Sequence, residues 1–274
     1  MKSIFHEEFM SQIKTILITG AGTGIGRDAA FALATRGHHV LATTFSEMQA
    51  AELLAEATRR ALVLDVLKLD ITNALDRESV RPLEIDVLIN NAGIGESGSL
   101  AEVDVNRIRQ VFEVNVFAAL ELTQLILQGM IERERGTVLF VSSIAGRVPM
   151  PFLMPYSMSK FALSAAGAGL RAEMDQLGKH INVALIEPGA IHTGFNQAMT
   201  DRKYQWMNQQ SYFSDQVNKM KAQERNTFTF LEARDTQSIV TKIVQASEAK
   251  RPKLRYVAPW IQGIGVRIAR IFGV

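Results

Sequence analysis

The chain contains no cysteine, and it has only two tryptophans and seven prolines among its 274 residues. Without cysteine it has no disulfide, no thiolate metal site and no thiol nucleophile, and this absence fits a reducing compartment. Residues 1–14 carry His6, Glu7 and Glu8 where a signal peptide has an unbroken apolar stretch. No unbroken apolar run approaches the roughly 18 residues that span a bilayer. We therefore expect a cytoplasmic protein that is not integral to a membrane.

Neither sign of charge is in clear excess, since 30 basic and 28 acidic residues give a formal net charge of +2. This charge is too small to indicate a nucleic-acid-binding protein. The apolar content of 47% is enough for a sizeable core, and no linker rich in Pro, Gly or Ser divides the chain. We predict one domain over residues 1–274 that binds neither nucleic acid nor a metal.

From Thr15 onward, short apolar runs alternate with longer stretches of helical periodicity. This alternation is typical of βαβ units around a parallel sheet that is buried on both faces. We predict an α/β fold, a single doubly wound Rossmann-type domain with a parallel sheet of about seven strands and helices on both faces. Strands are predicted at 16–19, 39–43, 64–70, 86–90, 137–142 and 181–186, and helices at 24–36, 47–57, 105–133 and 156–177. Pro82 should shorten the helix between Asp70 and Asp86.

A glycine-rich turn directly follows the first predicted strand. Gly20, Gly24 and Gly26 fit the spacing TGxxxGxG and not GxGxxG. At the start of a helix, such a turn lets backbone N–H groups approach a pyrophosphate. A tight turn that binds nothing is the alternative, but the position after the first strand favours the phosphate site.

Tyr156 and Lys160 are four positions apart, so on a helix they share a face and the ammonium can approach the phenol. A free tyrosine has a pKa near ~10, and a nearby cation lowers that pKa. Tyr156 is therefore a candidate to exchange a proton with a substrate hydroxyl or carbonyl. Ser143, at the end of the fifth predicted strand, is the candidate second donor to the carbonyl oxygen, and Ser142 is the competing choice.

The motifs follow one another in a set order: the glycine turn, Asn-Asn-Ala-Gly at 90–93, Ser-Ser at 142–143, Tyr-x-x-x-Lys at 156–160 and Pro-Gly at 188–189. In this order they resemble the short-chain dehydrogenase/reductase family over roughly residues 13–257, and the combination is more specific than any single motif. The resemblance implies an oxidoreductase that transfers a hydride between NAD(P)(H) and a small-molecule alcohol or ketone. In that family the serine precedes the tyrosine by thirteen positions, which selects Ser143.

The resemblance also assigns roles to individual residues. Asn115 would hold a water that links Lys160 to solvent, so the implied catalytic residues are Asn115, Ser143, Tyr156 and Lys160. Asp70 would bind the adenine amine, Asn91 would steady the central sheet, and Thr193 would hold the carboxamide. The implied cofactor contacts are Gly20, Thr23, Gly24, Ile25, Gly26, Thr44, Asp70, Ile71, Asn91, Ala92, Gly93, Tyr156, Lys160, Pro188, Gly189, Ile191 and Thr193.

The choice between NAD and NADP depends on the residues after the second predicted strand. These read Thr43-Thr44-Phe45, with no acidic residue to select NAD and no arginine at Phe45 to clamp the phosphate of NADP. Arg27, Thr23 and Thr44 are the candidates to receive a phosphate. The sequence therefore favours NADP over NAD.

Residues 195–230 are rich in Met, Gln, Asn and aromatic residues and have weak periodicity. This composition predicts a loop-helix substrate lid, whose apolar side chains either pack within the lid or contact the ligand. An apolar lid suits a lipophilic alcohol or ketone. Thr-Gly-Phe at 193–195 resembles the hydroxysteroid and retinol dehydrogenase-like branch of the family.

From Lys250 onward, six basic residues occur without an acidic one, and residues 259–272 are predicted to form an apolar C-terminal helix. Such a segment can lie on an anionic membrane surface, but packing on its own core or on a partner subunit is the favoured interpretation. Helices 105–133 and 156–177 resemble those through which the family forms homodimers and homotetramers.

The alternative function is a non-catalytic NAD(P)-sensing protein of the same fold, since a fold does not guarantee activity. The intact set Asn115, Ser143, Tyr156 and Lys160 argues against this alternative, because a sensor has no evident need of all four.

Overall fold

The computed structural model describes residues 12–207 and 210–272. In this part of the chain, a single parallel sheet forms the centre of the protein. Its seven strands lie in the order β3-β2-β1-β4-β5-β6-β7. They are Thr15–Ile18 (β1), His39–Thr44 (β2), Asp65–Lys68 (β3), Val87–Asn90 (β4), Arg135–Val141 (β5), His180–Pro188 (β6) and Arg255–Ala258 (β7). The strand order reverses between β1 and β4, and in such sheets ligands bind in the crevice at the carboxyl ends of the strands.

Helices cover both faces of this sheet, as the sequence pattern predicts. They are Gly24–Thr35 (α1), Glu47–Arg59 (α2), Ala74–Ser79 (α3), Val105–Phe112 (α4), Ala119–Glu132 (α5), Met154–Gln176 (α6), Phe195–Trp206 (α7), Val217–Leu231 (α8), Gln237–Glu248 (α9) and Trp260–Ile271 (α10). The helix before Pro82 has only six residues, as the position of the proline predicts. Helix α9 was not predicted.

Alternate residues of one strand enter two separate cores, which is why the strands read as continuous apolar runs. Ile16 and Ile18 pack in the core that includes α1 and α9. Leu17 points to the opposite face, into the core that includes α5 and α6. All three side chains are fully buried.

The predicted helix over 105–133 is not uniform, because a π-helical segment, Glu113–Ala118, separates α4 from α5. Asn115 lies in this segment and is buried. π-Helical turns interrupt the regular i to i−4 hydrogen bonding and are frequent at functional sites.

Among the described residues, the stretch Val105–Glu132 is long and apolar enough, by length and composition alone, to cross a membrane. We expected no apolar run of such a length, and for Val105–Glu132 this expectation is wrong. The expectation considered only unbroken apolar runs, whereas polar residues such as Glu121 interrupt this stretch. Half of the most apolar window is buried inside the protein, where Leu122, Ile126 and Met130 pack in the core. The stretch is thus accounted for as a core helix of the fold.

Candidate active site

The glycine turn between β1 and α1 has a backbone that side chains would obstruct. Gly20 and Gly24 have positive φ angles of 66° and 56°, which L-residues with a Cβ rarely adopt. A Cβ on Gly20 would lie 2.7 Å from the Cα of Ala92, and one on Gly26 would overlap the carbonyl oxygen of Gly20. The turn therefore needs glycine at these positions, and it leaves the N-terminus of α1 open to an anion.

Asn91 ties this turn to the end of β4. Its side-chain Nδ2 donates to the carbonyl oxygens of Thr19 at 2.8 Å and Gly20 at 3.0 Å. In return, the Thr19 hydroxyl accepts from the backbone N–H groups of Asn91 and Ala92, both at 3.0 Å. The carboxyl ends of the two neighbouring strands are thereby held together at the crevice.

Tyr156, Lys160 and Ser143 come together at the carboxyl end of β5. Tyr156 and Lys160 lie one turn apart on α6, with the Lys160 Nζ atom 5.6 Å from the centroid of the Tyr156 ring. The same Nζ donates to the carbonyl oxygen of Val141 at 2.8 Å. The Tyr156 phenol is hydrogen-bonded to the Ser143 side chain.

The structure separates the two competing serines. Both serines line the cavity, but only the Ser143 side chain is hydrogen-bonded to Tyr156, and its oxygen accepts from the N–H of Ala145 at 3.0 Å. The Ser142 hydroxyl instead points at α6, where it lies 3.1 Å from the Lys160 carbonyl oxygen and 2.7 Å from the Ser164 hydroxyl. Ser143 is therefore the serine placed to hold a substrate oxygen.

This difference gives a test with a built-in control. Replacing Ser143 with alanine should lower kcat/KM by about 10²-fold, because it removes a donor to the developing oxyanion. Ser142→Ala removes a buried hydrogen bond, which costs about 1 kcal/mol of stability and should leave kcat/KM within about threefold. Steady-state kinetics on both variants check this assignment, and a larger loss in Ser142→Ala would reverse it.

Burial dominates the titration of the two groups on α6. It raises the pKa of Tyr156 to about 12, against a smaller lowering by the hydrogen bond to Ser143. It lowers the pKa of Lys160 to about 8. The expected lowering of the tyrosine pKa by Lys160 is thus not seen, because the ammonium is directed at the Val141 carbonyl. At neutral pH, Tyr156 is therefore protonated, as a proton donor must be.

Asn115 is held by the protein itself. Its Oδ1 accepts from the N–H of Ile94 at 2.8 Å, and its Nδ2 donates to the Ile94 carbonyl at 2.9 Å and to the Ser159 hydroxyl at 3.0 Å. Ser159 in turn donates to the carbonyl of Tyr156 at 2.7 Å. Asn115 therefore links the loop after β4 to the helix that carries Tyr156, and its relay of protons through a water stays a prediction.

One cavity of about 1070 Å³ joins the glycine turn to the tyrosine. All but two of the predicted site residues line it, a set made up of Gly20, Thr23, Gly24, Ile25, Gly26, Asp70, Ile71, Asn91, Ala92, Gly93, Ser143, Tyr156, Lys160, Pro188, Gly189, Ile191 and Thr193. The two that lie outside the cavity are Asn115, behind the wall, and Thr44. The cradle around the glycine turn and the volume of the cavity fit a nicotinamide dinucleotide.

The predicted phosphate receivers are placed differently from what the sequence suggests. Thr44 is fully buried and its hydroxyl donates to the carbonyl of Ser46 at 3.0 Å. The Arg27 guanidinium is paired with the carboxylates of Asp28 at 3.0 Å and Glu56 at 3.3 Å. Of the three candidates, only Thr23 lines the cavity.

The far end of the cavity is largely apolar. Phe195 and Met199 of α7 line it, and the Phe195 ring lies 5.7 Å from that of Tyr156, centroid to centroid. Sequence reasoning missed the opposite wall, residues 150–153, because no periodic pattern marks this loop. It also missed Lys203, which is buried on α7 and paired with Glu224 of α8.

The family model described as short chain dehydrogenase matches residues 14–204 of this chain. The chain belongs to the short-chain dehydrogenase family. One relative of this chain is 17-beta-hydroxysteroid dehydrogenase 13 of Rattus norvegicus. It is 31% identical over 196 residues that cover 69% of this chain and 65% of the relative. The uncharacterized oxidoreductase YbbO of Escherichia coli K12 is 30% identical over 251 residues, which cover 89% of this chain and 84% of the relative.

The chain spans less than two thirds of the length of several relatives that it matches. One of them is dehydrogenase/reductase SDR family member 7B of Xenopus laevis, which is 31% identical over 197 residues that cover 68% of this chain and 60% of the relative. Among solved structures, a short chain dehydrogenase/reductase from Burkholderia phymatum in complex with NAD has a TM-score of 0.78 at 22% identity, with 94% of this chain and 93% of the other covered. At this identity the likeness shows the fold, and it confirms the predicted doubly wound sheet.

Proposed function

We propose that this short-chain dehydrogenase transfers a hydride between a nicotinamide dinucleotide and the carbon of a lipophilic alcohol or ketone. The observation that carries the proposal is the single cavity in which the glycine cradle, Ser143, Tyr156 and Lys160 meet. A bound nicotinamide supplies or accepts the hydride. The family membership and the predicted order of motifs agree with this reaction.

The side chains divide the remaining chemistry between them. Ser143 and Tyr156 both line the cavity, and their side chains are hydrogen-bonded to each other. We infer that the two hydroxyls together hold the substrate oxygen. The protonated Tyr156 donates its proton to that oxygen as the carbonyl is reduced and takes it back in the reverse direction. Lys160 donates to the Val141 carbonyl oxygen when Tyr156 is protonated. We infer that its ammonium turns from this carbonyl toward the phenol oxygen, one helical turn away, to stabilise the phenolate left behind.

The apolar end of the cavity supports a lipophilic substrate, as does the similarity to a relative named as a hydroxysteroid dehydrogenase. The experiment is a panel of long-chain and polycyclic ketones and sugars, followed by the absorbance of the reduced nicotinamide. We expect kcat/KM for the lipophilic compounds to exceed that for sugars by roughly 100-fold, since each buried methylene contributes ~0.8 kcal/mol. A clear preference for sugars would remove this part of the proposal.

For the cofactor, we propose that NADPH is accepted at least as well as NADH, with a preference of less than about tenfold, the worth of one ordinary hydrogen bond. Neither Thr44, the last residue of β2, nor Phe45 directly after it is a carboxylate that would repel a 2′-phosphate. Arg27, the predicted cationic partner, is already paired with two carboxylates.

Phe45 provides the corresponding test, since it lines the cavity and is 66% exposed. Phe45→Arg should tighten NADPH binding by about 10- to 100-fold, because a charge-assisted hydrogen bond to phosphate contributes about 1.5–3 kcal/mol. NADH binding should change by less than about threefold, within ordinary scatter for a rim substitution. Arg27→Ala is the matched variant, and a large loss of NADPH affinity in it would show that Arg27 leaves its two partners to bind the phosphate.

We further propose that residues 1–274 form one domain, that 195–230 act as the substrate lid, and that the protein is a cytoplasmic homodimer or homotetramer. Exposed apolar side chains on the predicted pairing helices, such as Val105, Phe117 and Phe161, support an assembly through them.

A further inference from the structure

The C-terminal helix α10 presents a row of uncovered isoleucines. Ile261, Ile264, Ile268 and Ile271 follow one another at spacings of three, four and three, so they share one face of the helix. Their exposed fractions are 65%, 43%, 50% and 80%. The opposite face holds the helix to the protein through the buried Val266. The favoured expectation is that this helix packs on its own core or on a partner subunit. Packing on its own core does not hold for the isoleucine face.

The row continues onto neighbouring exposed side chains. Phe230 and Leu231 at the end of α8 are 85% and 57% exposed, and the Gln262 side chain joins the two helices by donating to the Leu231 carbonyl at 2.7 Å. We call the resulting surface the C-terminal apolar face; it consists of Phe230, Leu231, Trp260, Ile261, Ile264, Ile268, Ile271 and Phe272. Contiguous exposed apolar surface of this kind marks an interaction site.

The charges beside this face are of one sign. On a helical wheel, Arg267 and Arg270 lie along one flank of the isoleucine row, and both are exposed. The whole segment 249–272 contains six basic residues and no acidic one. An amphipathic helix with Trp, Phe and Ile on one face and arginines beside it has the composition of helices that lie in the plane of a lipid surface.

We propose that the C-terminal apolar face docks on the surface of an anionic lipid bilayer. The isoleucines and Trp260 enter the boundary between headgroups and acyl chains, and the arginines meet anionic headgroups. A second copy of the chain fits the face less well, because a two-fold contact brings two acid-free segments together. Arg267 and Arg270 would then find no carboxylate in the opposing segment.

The proposed docking has a consequence that rests on the proposed function. Leu231 and Gln262 line the active-site cavity, so the docked face borders the cavity entrance. A lipophilic substrate can then pass from the bilayer into the cavity without crossing water. Docking itself does not depend on this consequence and is measured without substrate.

The test uses the full chain and vesicles of phosphatidylcholine with and without about 30 mol% phosphatidylserine, a content that gives an anionic surface. We expect co-sedimentation with the anionic vesicles, roughly tenfold weaker binding to the neutral ones, and a weakening of about the same size when high salt screens the charges on the anionic vesicles. The emission of Trp260, which is 71% exposed, should shift to shorter wavelength on binding, and this shift should be absent in Trp260→Phe.

Ile264→Asp with Ile268→Asp should reduce binding to anionic vesicles by at least about tenfold, because both side chains must enter the lipid boundary. Val63→Asp with Leu75→Asp is the matched control, since these side chains are 90% and 80% exposed elsewhere on the surface. Nicotinamide binding in every variant reports whether the fold and the proposed cofactor site are intact, independently of vesicle binding.

Two results would overturn the proposal. One is wild-type protein that stays in solution with anionic vesicles. The other is an isoleucine double variant that binds vesicles like the wild type but is a monomer by sedimentation velocity where the wild type is an oligomer. This result would assign the face to a second copy of the chain.

Discussion

Replacing Tyr156 with phenylalanine should lower kcat by about 10²- to 10⁴-fold, the contribution usual for a positioned proton donor. The variant keeps the ring against Phe195 and removes only the hydroxyl that is hydrogen-bonded to Ser143. The Kd for the reduced cofactor should change by less than about tenfold, because at most one hydrogen bond to it is lost. Single-turnover kinetics together with a nicotinamide titration measure both quantities.

Tyr212→Phe is the matched control, since Tyr212 is 83% exposed and lies outside the cavity. It should leave kcat within about twofold, as surface substitutions usually do. Wild-type protein that binds the cofactor but turns over no alcohol or carbonyl, with no difference from Tyr156→Phe, would favour the NAD(P)-sensing alternative.

Replacing Lys160 with methionine should make the protein more stable and inactive. Lys160 is 4% exposed, and burial lowers its pKa from 10.5 to about 8, so its charged form is disfavoured in the folded state. By linkage this penalty is of the order of 3 kcal/mol, and loss of the charge-assisted hydrogen bond to Val141 offsets about 1.5–3 kcal/mol of the gain. We expect the free energy of unfolding at pH 7 to rise by up to about 1.5 kcal/mol and kcat to fall by at least about 10²-fold.

The sign of the pH dependence is part of this prediction. Below pH 8 the lysine is charged in both the folded and unfolded states, so the whole penalty is present. Between the folded pKa of about 8 and the unfolded value of 10.5, only the unfolded state binds the proton, and the wild type gains stability as the pH rises. The advantage of Lys160→Met should therefore shrink between pH 8 and pH 10.5.

Urea unfolding at several pH values measures this difference, with Lys219→Met as the control because Lys219 is exposed on α8. A methionine variant that is less stable than the wild type at pH 7 would mean that the Val141 hydrogen bond outweighs the burial of the charge.

The sequence predicts the parts of the fold that repeat or that only one residue type can fill. Alternating apolar runs located six of the seven strands, and β7 was not located because it is a four-residue strand of mixed burial. The glycine turn could be predicted from the sequence because Gly20 and Gly24 occupy backbone conformations that require glycine. The family order of motifs then selected Ser143 over Ser142, and the hydroxyl directions agree with that selection.

What the sequence could not predict depends on contacts between distant residues. From the sequence, Arg27 is a cation available to a phosphate. In the fold, however, it pairs with Glu56 of a different helix. The pKa of Tyr156 depends on burial and on where the Lys160 ammonium points, and neither is visible in a four-residue spacing. The exposure of the isoleucines on α10 likewise requires the positions of α8 and β7.

The central claim is that the cavity above the glycine turn holds a nicotinamide dinucleotide beside Tyr156. The most direct measurement is a titration of the purified protein with NADH and with NADPH, following nicotinamide fluorescence. We predict saturable binding of at least one of them at one site per chain, with enhanced fluorescence because the ring enters a largely apolar cavity. Absence of saturable binding by both would contradict the account of this site.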